Sequence, residues 1–169
     1  MPPGGSLQFD PIDEARRQWT THGWGAEAPA MAALTSVMRV QQIFLSRVEH
    51  VLRPLGLTFA RYETLRLLAF SRAGSLPLGK VGERLQVHPG SVTNAIDRLE
   101  QQGLVRRQAH PTDGRTTLAE ITPSGRRLTE RATTALNAQV FAELGLSKRE
   151  LTDLIDILRK VRFGSGDFV

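Results

Sequence analysis

The chain has 169 residues, 40% of them hydrophobic, and 22 Lys/Arg against 17 Asp/Glu for a formal net charge of +5, which is room for one compact domain or a small reading unit fused to helices that pair with another copy. It contains no cysteine, which excludes disulfides, thiolate zinc sites, Fe–S clusters and thiol-based redox sensing within the chain. No apolar run approaches the roughly 20 residues of a membrane span, and the opening MPPGGSLQFD lacks the basic-then-apolar order of a secretory signal, so a soluble cytoplasmic protein with no membrane partner is expected.

Charge is unevenly spread. Residues 59–122 carry nine Lys/Arg against six Asp/Glu, whereas residues 1–30 carry two against four. A polyanion would therefore meet the middle of the chain and not its acidic N-terminal arm.

In chain order, residues 1–9 are Pro/Gly-rich, short of apolar spacing and read as disordered. Asp10-Pro11 reads as an N-cap followed by Pro at the first helical position, and Ile12, Ala15 and Trp19 share a face of a short helix that ends near Gly23. Trp19 and Trp24, the two tryptophans, are expected to bury against a neighbouring helix or subunit. A long helix is predicted from about Ala30 to Arg53, with Leu34, Val37, Met38, Gln41, Phe44, Leu45, Val48 and Leu52 as its stripe and Pro54 and Gly56 as its stop. Thr58 caps the next helix, Leu57 and Tyr62 form a hydrophobic staple around that cap, and Leu65, Leu68 and Ala69 face inward until Gly74.

A short helix over Lys80–Gln86, with Leu78, Val81 and Leu85 inside, leads through the turn Gln86-Val87-His88 to a helix that starts at His88-Pro89. Val92, Ala95, Ile96 and Leu99 line one face of this helix, Ser91, Thr93, Asn94 and Arg98 point outward, and Gly103 supplies the stop. Strands near Leu104–Gln108 and Thr116–Ile121 flank a loop from Ala109 to Arg115 whose Pro111 and Asp113-Gly114 are turn formers. Thr122-Pro123 opens another helix through Leu128, Ala132, Ala135, Leu136 and Val140 to about Leu144, and Gly145 breaks it. Ser147 to Glu150 forms a capping box before a last helix striped by Leu151, Leu154, Ile155, Leu158 and Val161. On this reading strand is confined to the hairpin.

The outward residues of helix 88–102 have the chemistry to hydrogen-bond base edges and phosphates in a major groove. Arg115 at the hairpin tip suits a minor groove, where phosphates on both sides make the potential strongly negative. Asp113 is placed to hold that guanidinium by a charge-assisted hydrogen bond. Alone, the hairpin reads equally as a solvated turn; directly after a polar-faced helix it reads as a DNA-contacting wing.

Catalytic and cofactor motifs fail by comparison. Gly74 to Lys80 has the spacing of a phosphate-binding loop, but Val81 stands where that loop needs Ser or Thr, and a helix precedes it where the loop needs a strand. His22, His50, His88 and His110 are scattered, and neither HExxH nor GxSxG occurs. No enzyme, cofactor or metal is expected. His88 at the helix start is a candidate DNA contact, and His50 a candidate cavity lining.

The run from Leu78 to Leu128, LGKVGERLQVHPGSVTNAIDRLEQQGLVRRQAHPTDGRTTLAEITPSGRRL, resembles the DNA-binding core of MarR-type transcriptional regulators. The likeness lies in the helix entry from Val87 to Thr93, the DRLEQQGLVRR join, the Asp-x-Arg wing tip and the ITPSG lead into the next helix, and with the flanking helices it covers about residues 30–163. The resemblance implies a mostly α fold: a winged helix-turn-helix with a two-stranded β-hairpin wing and N- and C-terminal dimerisation helices. Residues 1–29 form an extension, 30–58 a dimerisation helix, 59–122 the reading unit and 123–169 the C-terminal dimerisation helices.

By the same resemblance, the chain is a homodimeric repressor of double-stranded DNA, released from a pseudo-palindromic operator by a small aromatic or anionic effector. Contacts to DNA are carried over to Ser91, Thr93, Asn94, Arg98 and Arg115, with Asp113 in support, and His88 joins them as a candidate by its place at the helix start. Asp97 is expected to pair with a base, and Arg106 and Arg107 are expected to meet phosphate or to stand on a solvated strand. Met38, Arg39, Gln42, Ser46, His50, Tyr62 and Arg66 are the effector-lining candidates. The N-terminal helix with Trp19 resembles the urate-responsive branch, but Ala95 and Glu63 stand where that branch has Arg and Asp, so urate sensing is not expected. The rival readings are a winged-helix protein-interaction module and a non-specific architectural DNA-binding protein.

Overall fold

The computed structural model describes residues 7–169; residues 1–6, part of the segment read as disordered, lie outside the described residues. Seven helices and three strands follow in order: α1 (Pro11–Thr21), α2 (Ala28–Leu52), α3 (Phe59–Phe70), β1 (Ser75–Pro77), α4 (Leu78–Leu85), α5 (Pro89–Gln101), β2 (Val105–Ala109), β3 (Thr117–Ile121), α6 (Pro123–Leu136) and α7 (Lys148–Gly164).

The helix starts follow the capping chemistry of the sequence. Asp10 Oδ1 accepts from the Ile12 amide at 2.8 Å, Thr58 Oγ1 from Arg61 at 3.4 Å, and Thr122 Oγ1 from Gly125 at 3.0 Å. Ser147 and Glu150 complete their reciprocal capping box.

Two segments depart from the periodicity. Strand is not confined to the hairpin: β1 pairs antiparallel with β3, Leu76 opposite Ala119, giving the sheet order β1-β3-β2. Three residues ending in Pro77 are too few to show alternation, and an edge is where a strand tolerates proline. Past Leu136 the chain widens into a π-helical turn over Asn137–Phe141, closed by the Ala142 amide donating to the Asn137 carbonyl at 3.0 Å. Apolar spacing alone does not separate this from continued α-helix.

The core lies in the reading unit. Leu65, Leu68, Val81, Ile96, Leu99 and Ala119 are fully buried, joined by Val48 and Leu52 from the end of α2 and by Ala132, Leu136 and Val140 beyond it. The terminal helices are packed differently. No residue of α7 is buried, and the predicted stripe of α2 leaves Leu34 64% and Met38 60% exposed. Trp24 is 55% exposed in the single chain and lies edge-to-face with Trp19 at 5.5 Å. Among the described residues no helix is long and apolar enough to cross a membrane.

Gly125, in the first turn of α6, is where this helix meets the hairpin root. A Cβ built there would run into the Leu104 carbonyl oxygen and lie 2.9 Å from Ile121 Cγ1. Gly125→Ala is therefore expected to destabilise the fold by about 1–3 kcal/mol through overpacking, read as a lower urea midpoint with an unchanged slope; an unchanged midpoint would contradict the close approach.

Candidate nucleic-acid interface

The interface begins with the crossing of α4 and α5. Gly82 allows it: a Cβ there would meet both the Val87 carbonyl and Val92 Cγ2 at 3.3 Å. Val92, Ile96 and Leu99 bury the inner face of α5, so that Ser91, Thr93, Asn94 and Arg98 are all exposed on its other side. These four expected contacts therefore share one surface. His88 is exposed beside them, but its Nδ1 accepts the Gly90 amide at 3.1 Å and serves as the cap of α5. Its Nε2 edge is the part left for any other contact.

The wing follows from the β2–β3 register, with Val105 opposite Ile121 and Ala109 opposite Thr117. At the tip, Asp113 does not hold the guanidinium of Arg115 as expected. Its Oδ1 accepts the Arg115 backbone amide at 3.0 Å and its Oδ2 accepts the Thr116 hydroxyl at 2.6 Å. An Asp two residues back reaches the backbone of its own turn more easily than a long side chain aimed at solvent. The Thr116 hydroxyl and the Arg115 amide hold the Asp113 carboxyl below its ordinary range. The Arg115 side chain is exposed and has no ion-pair partner among the described residues.

Arg106 and Arg107, expected to meet phosphate or to stand on a solvated strand, have carboxylate partners within the chain. Arg106 lies across the hairpin from Glu120 and donates to both of its oxygens, at 3.0 and 2.9 Å. Arg107 is clamped by Asp97 and Glu100 of α5, and its backbone amide donates to Glu100 Oε1 at 2.9 Å. Asp97 pairs with Arg107 in this structure. Cross-strand and helix-to-strand neighbours of this kind do not show in linear spacing.

Arg98 bonds only the neutral Gln101, at 3.3 Å, so its charge stays uncompensated alongside that of Arg115. Sequence reasoning missed Arg72 and Arg84, which are exposed on the same unit without an ion-pair partner among the described residues. The signal for Arg84 was its outward position on α4.

The seven effector-lining candidates are not brought together. Tyr62 and Arg66 face α6, with the Tyr62 hydroxyl 2.9 Å from Thr133 Oγ1 and Arg66 bonded to Glu130 at 3.0 Å and to Thr133. Met38, Arg39, Gln42, Ser46 and His50 are exposed on α2. At about 100° per residue they fall on the side of α2 opposite Val37, Val40, Phe44 and Val48. That latter face lines an apolar cavity of about 600 Å³ with Phe59, Val140, Phe141, Leu154 and Leu158.

The comparisons with known proteins agree with this geometry. A family model described as MarR family matches residues 57–117. The HTH-type transcriptional regulator MhqR of Bacillus subtilis is 32% identical over 114 residues, 67% of this chain and 77% of that protein. Among solved structures, Sco5413, a MarR family transcriptional regulator from Streptomyces coelicolor, shows 51% identity and a TM-score of 0.76 over 83% of this chain and 97% of its own. Sco3205 from the same organism, solved in complex with DNA, shows 25% identity and a TM-score of 0.70 over 78% and 85% of the two chains. CouR from Rhodococcus jostii RHA1, bound to p-coumaroyl-CoA, shows 29% identity and a TM-score of 0.66 over 79% and 92%.

The clamp on Arg107 carries a pH signature. The Arg107 backbone amide, and then its guanidinium, hold the Glu100 carboxyl below its ordinary range. A lowered folded-state value means the contribution is complete above the ordinary glutamate range and is lost as pH falls through the lowered value. Exposure keeps it modest. Glu100→Gln is expected to lower the unfolding midpoint at neutral pH, with the gap to the parent closing in acid; a gap that persists at low pH would contradict the clamp.

Proposed function

Because the chain belongs to the MarR family of DNA-binding transcriptional regulators, we propose that it works as a homodimeric repressor that occupies a pseudo-palindromic operator and leaves it when a small effector binds. The observation that carries this reading is the single polar surface of Ser91, Thr93, Asn94 and Arg98 on a helix locked to the core, next to a wing whose tip charge is uncompensated. Residues 59–122 do the reading: α5 lies in the major groove and Arg115 in the adjacent minor groove. A dimer seated on two half-sites blocks the duplex beneath it, which is repression by occupancy. Such a protein works beside the chromosome, in the cytoplasm.

Residues 30–58 and 123–169 supply the dimer contact, with residues 1–29 as an extension whose helix α1 packs on α2. Support comes from the apolar surface these helices leave uncovered in one chain: Leu34, Val37 and Met38 of α2, and Ile155, Ile157 and Val161 of α7, are each at least half exposed. Apolar faces of this extent on neighbouring helices suit a second copy.

The effector is a small aromatic or anionic molecule. Supporting this class, the Arg66 side chain is largely covered, its guanidinium lies 5.0 Å from the exposed Phe70 ring, and its Nε is buried without a partner among the described residues. An incoming carboxylate would compete with Glu130 for that guanidinium. CouR shows that a protein of this fold takes an aromatic acyl ligand. Release requires the effector to prefer the arrangement of reading heads that fails to fit the operator, since a ligand with equal affinity for both shifts nothing.

Two measurements test the reading. Arg115→Ala is expected to weaken operator binding by about 1–3 kcal/mol at fixed salt, and an unchanged titration would remove the wing from the interface. Ile155→Asp is expected to yield monomers by sedimentation together with loss of tight operator binding; a variant that stays dimeric would overturn the role given to α7.

A further inference from the structure

The corner between α4 and α5 is built on an unfavourable residue. Among the described residues six glycines take positive φ, and the single residue other than glycine that does so is Gln86, at φ 53° and ψ 43°. A side chain in this left-handed region is disfavoured, and glycine would fill the position at no steric cost. An outlier retained where glycine serves better points to a use for the side chain.

That use is visible 81 residues away. Gln86 Nε2 donates to the backbone carbonyl of Asp167 at 2.9 Å. The C-terminal segment offering this carbonyl is folded back over the end of α7. Gly166 turns it at φ 73°, its amide donates to Phe163, and the Asp167 amide donates to Arg162. The Arg162 guanidinium then binds the Asp167 carboxylate at 2.6 Å and lies 5.3 Å from the Phe168 ring, which packs against Phe163 at 5.9 Å. The acceptor is thus pre-ordered by its own helix end. No residue of α7 belongs to the core, yet its tip is fastened to the corner that precedes the His88 cap of α5 by two residues.

We propose that Gln86 and the Asp167 carbonyl form a clasp that ties the C-terminal helical arm to the reading corner and so sets the direction of α5 relative to that arm. Gln86 acts as a positioning residue: it touches no base, but it couples any movement of α7 to the helix that carries Ser91, Thr93 and Asn94. The consequence for operator fit rests on the DNA-reading function proposed above; the clasp itself does not.

The test uses the full chain and two variants. Gln86→Gly keeps the left-handed corner and deletes the amide, and a chain ending at Gly166 deletes the acceptor while leaving the corner intact. Hydrogen exchange without DNA reads the clasp directly. The shortened chain is expected to exchange faster at the amides of Gln86 and Val87, which both donate to the Gly82 carbonyl, and Gln86→Gly is expected to exchange faster at Asp167. Unchanged exchange at both distant ends would overturn the clasp. Against the best selected duplex, each variant is expected to bind about two- to fivefold more weakly, as for one exposed hydrogen bond. The double variant should lose no more than either alone, and the penalty for moving the half-sites apart by one base pair should shrink. Full additivity, or an unchanged spacing penalty, would overturn the positioning role. A parent that selects no duplex would overturn the proposed function, with exchange still deciding the clasp.

Discussion

Burial of the inner face of α5 is the constraint on which the interface depends. Val92, Ile96 and Leu99 sink into the same core as Leu65 and Leu68 of α3 and Val81 of α4. Once they do, a helix of 3.6 residues per turn has no choice about Ser91, Thr93, Asn94 and Arg98. The polar face is turned outward by the apolar one. The core also holds Leu104, Val105, Ala119 and Ile121 of the hairpin and its root, so wing and reading helix are seated on one packed unit and keep a fixed mutual geometry.

Pairing inside the protein then decides which positive charges are left for an anionic partner. Glu120 engages Arg106, Asp97 and Glu100 engage Arg107, Glu83 engages Lys80, and Glu130 engages Arg66. Arg98 and Arg115, which no carboxylate among the described residues engages, are the ones at the exposed face of α5 and at the wing tip. The net charge of +5 is a poor guide beside this distribution, because an arginine already held in a two-carboxylate clamp releases few counterions from a phosphate backbone. Arg107 is better understood as the joint between β2 and α5.

Most of the fold was legible in the sequence because its signals are local. Asp10, Thr58, Thr122 and the Ser147–Glu150 box marked helix starts through bonds spanning two or three residues, and apolar spacing placed the buried face of α5. What stayed hidden depends on partners distant in sequence or on conformations that leave no pattern. The pairing of β1 with β3 joins Ser75 to Glu120, and the clamp on Arg107 needs the hairpin to fold back onto α5. Asp113 was assigned to the right loop but to the wrong atoms, since a two-residue offset fits either the Arg115 amide or its guanidinium. The effector candidates on α2 were chosen for chemistry without regard to helical phase, which places Met38, Arg39, Gln42, Ser46 and His50 opposite the face that packs. Gln86 looked like an ordinary turn residue, and only its backbone angles mark it out.

The terminal helices complete the account. Leu34, Met38, Ile155 and Val161 stand exposed on α2 and α7; in the proposed homodimer these faces meet a second copy, and two linked reading units are what a two-fold-related DNA site requires. The most direct test of this account is selection of binding sites from a random duplex pool, followed by titration of the best site against its scrambled sequence over a salt series. The account predicts an inverted repeat with half-sites about one helical turn apart, bound on the order of 10³-fold or more tightly than the scrambled duplex, with affinity for both falling as salt rises. Equal affinity for the two duplexes at every salt concentration would contradict sequence reading by α5 and the wing.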